Sequence, residues 1–164
     1  MSKIEISVLR QNNHRRIIMK VAIGCDPNAL GLKEQLITYI EKLGHTIIDY
    51  GSDDPIYANT AIRVAEDVAS GKVTRGILIC GTGIGMGIAA NKVNGAYAAM
   101  VNNIYQAQRA QLSNNANIIT LGSQVIGVEL AKSLIKEYLS NSFDRESRSR
   151  PKVDRIVQYE NQKK

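Results

Sequence analysis

Short apolar runs alternate with amphipathic stretches along most of this chain. Residues 19–26 read as a first strand ending in a polar turn. Residues 1–18 ahead of it show no clear periodicity and are read as an extension or an upstream start. Over residues 29–43 the apolar positions Leu32, Leu36, Ile37, Ile40 and Leu43 recur at helical spacing, and Gly44 stops the pattern. Residues 46–49 predict a second strand, and residues 59–70 a helix with Ala61, Val64, Ala65 and Val68 inward. A third strand at 77–80 runs into a glycine-dense turn and a helix-compatible stretch at 88–92. Strands at 96–101 and 118–121 are predicted next, with helices at 104–112 and 127–139. Val153, Ile156 and Val157 predict a last short helix. Short apolar strands alternating with helices predict an α/β fold: a three-layer α/β/α sandwich with a five-stranded parallel, Rossmann-like sheet covered on both faces. In such sheets ligands gather beyond the carboxyl ends of the strands. Asp26, Cys80 and the turn after Leu121 all fall on that edge.

The chain has 164 residues, enough for one domain, expected over 19–157 with a polar tail at 158–164. A domain of this size buries roughly 70% of its unfolded surface and needs no covalent staples. The net charge of +6 sits at the ends: residues 1–20 carry +4, residues 140–164 carry +3, and the segment between them carries −1. No basic face with interleaved aromatics is visible, so nucleic acid is not the expected partner. Cys25 and Cys80 are too few for a disulfide scaffold and form no C-x-x-C pair. The first twenty residues hold no signal-peptide apolar segment, and no apolar run approaches the roughly 20 residues that span a membrane. The expected location is cytoplasmic.

Candidate chemistry concentrates at Cys80. A buried strand delivers it to the turn Cys80-Gly81-Thr82-Gly83-Ile84-Gly85-Met86-Gly87, which opens a helix. Thiol, hydroxyl and unencumbered backbone amides thus meet at a helix start, a place suited to a small anion. Three familiar readings fail on spacing: a dinucleotide fingerprint needs glycine at 86 or 88, a Walker loop needs Gly-Lys-Ser/Thr, and a C-x5-R phosphatase loop needs arginine at 86. The competing reading is a structural cysteine capping a buried strand.

Four segments carry a resemblance: Lys20-Val-Ala-Ile-Gly-Cys-Asp26, Leu78-Ile-Cys-Gly-Thr-Gly83, Ile88-Ala-Ala-Asn-Lys92 and Ile126-Gly-Val-Glu-Leu-Ala-Lys132. In content, order and separation they resemble the type B ribose-5-phosphate isomerases, a family that includes the two subunits of galactose-6-phosphate isomerase. The resemblance covers about residues 19–157. It implies aldose–ketose isomerisation of a sugar phosphate, of the ribose 5-phosphate/ribulose 5-phosphate or galactose 6-phosphate/tagatose 6-phosphate type, through an enediolate, with neither metal nor cofactor. Such chemistry needs a base that moves a proton between neighbouring carbons, donors for the oxyanion, and cations for the phosphate. By match to the motif, Cys80 is the implied base. An ordinary thiol is mostly protonated near neutrality and needs help from nearby amides and a helix N-terminus. Thr82 and the amides around Gly81, Gly83 and Gly85 are the implied oxyanion donors. Asp26 and Tyr57 are implied to meet the substrate, and Arg148 and Lys152 its phosphate. Asn114 matches an asparagine donated across a dimer interface, which implies a homodimer or tetramer. The plain readings stand beside these: Arg148 and Lys152 as solvated charges, and Asn114 and Asn115 as a helix terminator.

Three histidines common in the family's active members are replaced, by Pro27, Ser113 and Ser149, and Gln124 stands where an arginine is common. His14 and His45 lie at no motif position and are read as surface residues. Serine is a poor general base without a partner, and Ser113 stands at the ring-opening position. Three expectations follow: a hetero-oligomer in which a related subunit supplies the histidine, a tetrulose phosphate substrate that needs no ring opening, or a non-catalytic sugar-phosphate-binding module.

Overall fold

The computed structural model describes residues 17–162, so the extension expected at 1–18 lies almost wholly outside the described residues. Five strands, β1 (Lys20–Cys25), β2 (Thr46–Asp49), β3 (Arg75–Cys80), β4 (Ala98–Met100) and β5 (Ile118–Gly122), pair in parallel in the order β2-β1-β3-β5-β4. Among the described residues six α-helices accompany them: α1 (Leu30–Lys42), α2 (Tyr57–Ala69), α3 (Ile84–Ala90), α4 (Ile104–Leu112), α5 (Val128–Ser140) and α6 (Arg150–Asn161). The predicted sandwich is the fold observed. None of these helices is long and apolar enough to cross a membrane.

Strand alternation explains the two cores. Val21, Ile23 and Cys25 of β1 pack with Leu36 of α1 and with Leu134 and Tyr138 of α5. Ala22 of the same strand joins Val64 and Val68 of α2 and Met86 of α3 on the opposite face. Because the central strands are covered on both sides, β3 is buried at every position. That buried run includes Arg75, which the apolar pattern did not foresee. Its guanidinium lies 4.8 Å from the Tyr138 ring centroid and donates to the carbonyls of Tyr138 and Asn141 at the end of α5. A cation there satisfies carbonyls that the helix leaves open and opposes its dipole. Tyr138 is itself fully buried, and its hydroxyl donates to the Ala116 carbonyl at 2.9 Å.

The last helix is longer than the apolar positions predicted. The polar tail expected from residue 158 instead continues α6 to Asn161, because Glu160 anchors it. The Glu160 carboxylate accepts from Gly95 N at 3.0 Å and from the Tyr97 hydroxyl at 2.8 Å. Burial and this bond push the Tyr97 phenol up to about 12. His45 also departs from its surface reading: it is half-buried, and its Nδ1 accepts the Met19 amide at 3.2 Å.

Cys25 carries a pH prediction. Burial pushes its thiol from 9.0 to about 11, with Lys33 opposing. The unfolded chain therefore releases this proton first, so the contribution is complete below pH 9 and declines as pH rises toward 11. Denaturant midpoints should fall over that window, and Cys25→Ala should flatten the first part of the decline. A midpoint unchanged across the window would contradict the assignment.

Candidate active site

The site begins at the carboxyl end of β3, where Cys80 pairs in register with Gly122 of β5. Cys80 is 5% exposed, and its sulfur accepts the Gly83 amide at 3.1 Å. Gly83 has φ +80°, the left-handed conformation that glycine adopts without steric cost, and turns the chain into α3. The Thr82 hydroxyl accepts the Ile84 amide at 3.3 Å. The amides of Gly85 and Met86 follow in the first turn of α3, where no earlier helix carbonyl is placed to accept them. One backbone amide thus engages the buried thiol, and the helix that follows begins at Ile84.

The segment after β5 clamps this turn. Ser123 N donates to Cys80 O at 2.8 Å and Gln124 N to Gly81 O at 3.0 Å. The side chain of Gln124, which is neutral, lies against Gly81 and faces the thiol turn. Tyr57, the first residue of α2, covers Gly85: an ideal Cβ on that glycine would stand 2.5 Å from the ring Cζ. Asp26 completes the edge. Its amide donates to Ile79 O at 3.2 Å, and its Oδ1 accepts Asn28 N at 3.0 Å to cap the short turn Pro27–Ala29. Lys33, unnoticed in the sequence, is buried within electrostatic reach of Cys25, with Nζ 2.7 Å from Asp49 Oδ1.

The remaining predicted residues lie elsewhere. A cleft of about 260 Å³ is lined by Tyr105 and Arg109 along α4, by Ser113 and Asn114 just past its end, and by Arg148 and Lys152 at the start of α6. Asn115 ends α4 in the left-handed conformation, with φ +49°. Asn114 donates its side-chain amide to Arg109 O at 2.9 Å, so both asparagines take part in ending the helix. This end of α4 leads into the amino end of β5, whereas Cys80 and Asp26 stand at the carboxyl edge. The structure therefore gathers Asp26, Tyr57, Cys80, Gly81, Thr82, Gly83 and Gly85 in one group and Asn114, Arg148 and Lys152 in another. Arg109 was missed. Its signal was the spacing of four residues to Ser113 on one helix, which places the two side chains on the same face. Among the described residues no three His, Cys, Asp or Glu side chains gather to hold a metal ion.

Comparison with known proteins sets this geometry in context. A family model described as Ribose/Galactose Isomerase matches residues 21–156. A D-erythrulose-4-phosphate isomerase of Pectobacterium atrosepticum is 47% identical over 151 residues, covering 90% of this chain and 99% of the relative. A ribose-5-phosphate isomerase B of Listeria innocua is 45% identical over 139 residues, covering 83% of this chain and 93% of the relative. Among solved structures, the ribose-5-phosphate isomerase B of Clostridium thermocellum superposes with a TM-score of 0.84 at 38% identity, covering 89% of this chain and all of that one.

Proposed function

Because this chain belongs to the ribose/galactose isomerase family and is an aldose–ketose sugar-phosphate isomerase, we propose that its substrate is a four-carbon sugar phosphate, D-erythrulose 4-phosphate, and that Cys80 moves the proton. In the ketose the base removes a proton from C1, leaving an enediolate across C1 and C2. The same proton returned to C2, with the O1 hydroxyl proton passed to O2, gives the aldose. Turn amides and the Thr82 hydroxyl stabilise the oxyanion, and Asp26 holds a substrate hydroxyl through the carboxylate oxygen not spent on Asn28.

One observation carries the choice of substrate. At the ring-opening position Ser113 offers no basic group, and its Oγ is occupied as an acceptor for Arg109 Nε at 2.8 Å. No histidine or carboxylate lines that cleft. A five- or six-carbon aldose phosphate rests mainly as a ring that must be opened. A tetrose with its phosphate on O4 has lost the oxygen that closes a five-membered ring, so it presents an open chain. The 47% identity to an erythrulose-phosphate isomerase supports this reading. Activity on ribose 5-phosphate is the second reading, favoured by the 45% identity to a ribose-phosphate isomerase.

The separation of the two residue groups supports a second copy of the chain that brings its cationic cleft to the first copy's Cys80. Ile84 and Ile88, 52% and 58% exposed one turn apart on α3, offer an apolar surface beside that turn for the contact. Kinetics on both substrates test the assignment. The four-carbon substrate should be turned over with the higher kcat/KM. Ser113→His should raise ribose 5-phosphate turnover while leaving erythrulose 4-phosphate turnover level or lower. Equal gains on both would remove the ring-opening argument.

A further inference from the structure

We propose that Arg109 is a third ligand of the substrate phosphate and that Ser113 is the residue that orients it. The inference rests on the sugar-phosphate reading above but concerns a side chain that reading left without a role.

The charge pattern of the cleft is the starting point. Among the described residues most cations near a carboxylate use it: Lys33 pairs with Asp49, Lys72 with Asp67 and Lys132 with Glu129. Arg150, at the start of α6, lies 3.6 Å from Glu146 and 3.5 Å from Asp154. Its neighbours Arg148 and Lys152 face the cleft instead, opposite Arg109, and none of the three forms a salt bridge with a described carboxylate. Three like charges around one hollow repel one another until an anion enters. The positive end of α6, twelve residues long with no acidic side chain in its first turn, opens on the same hollow.

Arg109 is also held for the task. It is half-buried, lies 6.0 Å from the Tyr105 ring centroid, and spends Nε on Ser113 Oγ at 2.8 Å. Anchoring Nε and one face of the guanidinium leaves both Nη groups as a planar fork, the geometry that grips two oxygens of a phosphate. Arg109 thus brings a third positive charge to the cleft that Arg148 and Lys152 line. The competing role is purely local: an arginine in the last turn of α4 also opposes that helix's dipole.

Inorganic phosphate separates the two roles. Binding to the full chain is measured by calorimetry for the native protein and for Arg109→Gln, Arg109→Lys and Ser113→Ala, alongside KM and kcat for erythrulose 4-phosphate. Arg109→Gln is expected to weaken phosphate about ten-fold or more and to raise KM similarly, with kcat within about three-fold of native. Arg109→Lys keeps the charge and the helix contact but loses the fork, so an intermediate loss is expected; it also decides the matter if the glutamine variant fails to fold. Ser113→Ala should cost about two- to five-fold, through lost orientation alone. Unchanged phosphate binding in both arginine variants would overturn the proposal and leave Arg109 as a helix-end residue. A native protein that binds phosphate through Arg109 yet isomerises no sugar phosphate would retire the isomerase reading and leave this one standing.

Discussion

Cys80→Ala is expected to lower proton exchange and turnover about a thousand-fold while leaving the fold intact. The side chain is small, its removal leaves the β3 ladder in place, and among the described residues the one hydrogen bond lost is that from Gly83 N. Exchange at the substrate carbon in heavy water, followed by NMR, isolates the step assigned to the thiol from binding and release. Deuterium incorporation at the native rate would remove Cys80 as the base. The same variant tests the shared site. Mixed with Arg148→Ala/Lys152→Ala under conditions that exchange subunits, it forms hybrid pairs holding one intact thiol turn and one intact cleft. If the site spans two copies, equal mixing should recover about a quarter of native activity from two nearly inactive partners, because half the dimers are hybrids with one of two sites complete. No recovery would mean that each copy works with its own cleft.

Gly122→Ala is expected to damage stability and activity together. An ideal Cβ at this position would stand 2.7 Å from Thr82 O, 2.8 Å from Thr82 C and 2.8 Å from a Val125 methyl. Two of these contacts are backbone, so no rotamer change relieves them, and the Cys80–Gly83 turn must shift away from β5. Overpacking of this kind costs about 1–3 kcal/mol. Displacing a reacting group by about an ångström is worth about a hundred-fold in rate. Gly31→Ala is the control, since a Cβ there meets nothing within 4 Å. It should leave activity unchanged and raise stability slightly, as replacing an exposed helical glycine usually does. A Gly122→Ala protein with native melting temperature and turnover would show that the turn has room to spare.

The regular elements were legible in the sequence where burial imposes a period. β2 and α4 begin and end where the pattern places them, and the four positions predicted inward on α2 are all buried, with Thr60 as an unforeseen fifth. Elements were misjudged where polar residues are buried for reasons that periodicity does not encode. β3 starts two residues earlier than read because Arg75 is satisfied by the end of α5, a contact 63 residues away in the chain. Lys33 breaks the apolar stripe of α1 because Asp49 arrives beside it from β2. α6 outran its apolar positions because Glu160 is held by Tyr97 and Gly95. For the candidate site, the Cys80 turn was readable because its pieces are contiguous. That Asn114, Arg148 and Lys152 lie apart from it was not, since this depends on which end of the sheet each connection occupies. Arg109 was overlooked for a similar reason: its spacing to Ser113 was readable, but its significance comes from facing Arg148 and Lys152 across a cleft between helices distant in the sequence.

The two groups of residues are built from different materials. Around Cys80 the contacts run from backbone to backbone, through the bonds of Ser123 and Gln124 to the turn and the close approach of Gly122 to Thr82. The cleft is walled by side chains projecting from the ends of α4 and α6. For protein engineering this division is useful. A combinatorial library restricted to Arg109, Ser113, Arg148 and Lys152 varies chain length and charge preference without touching the peptide framework that holds the thiol. Variation at the turn itself sacrifices the scaffold before it samples a new reaction.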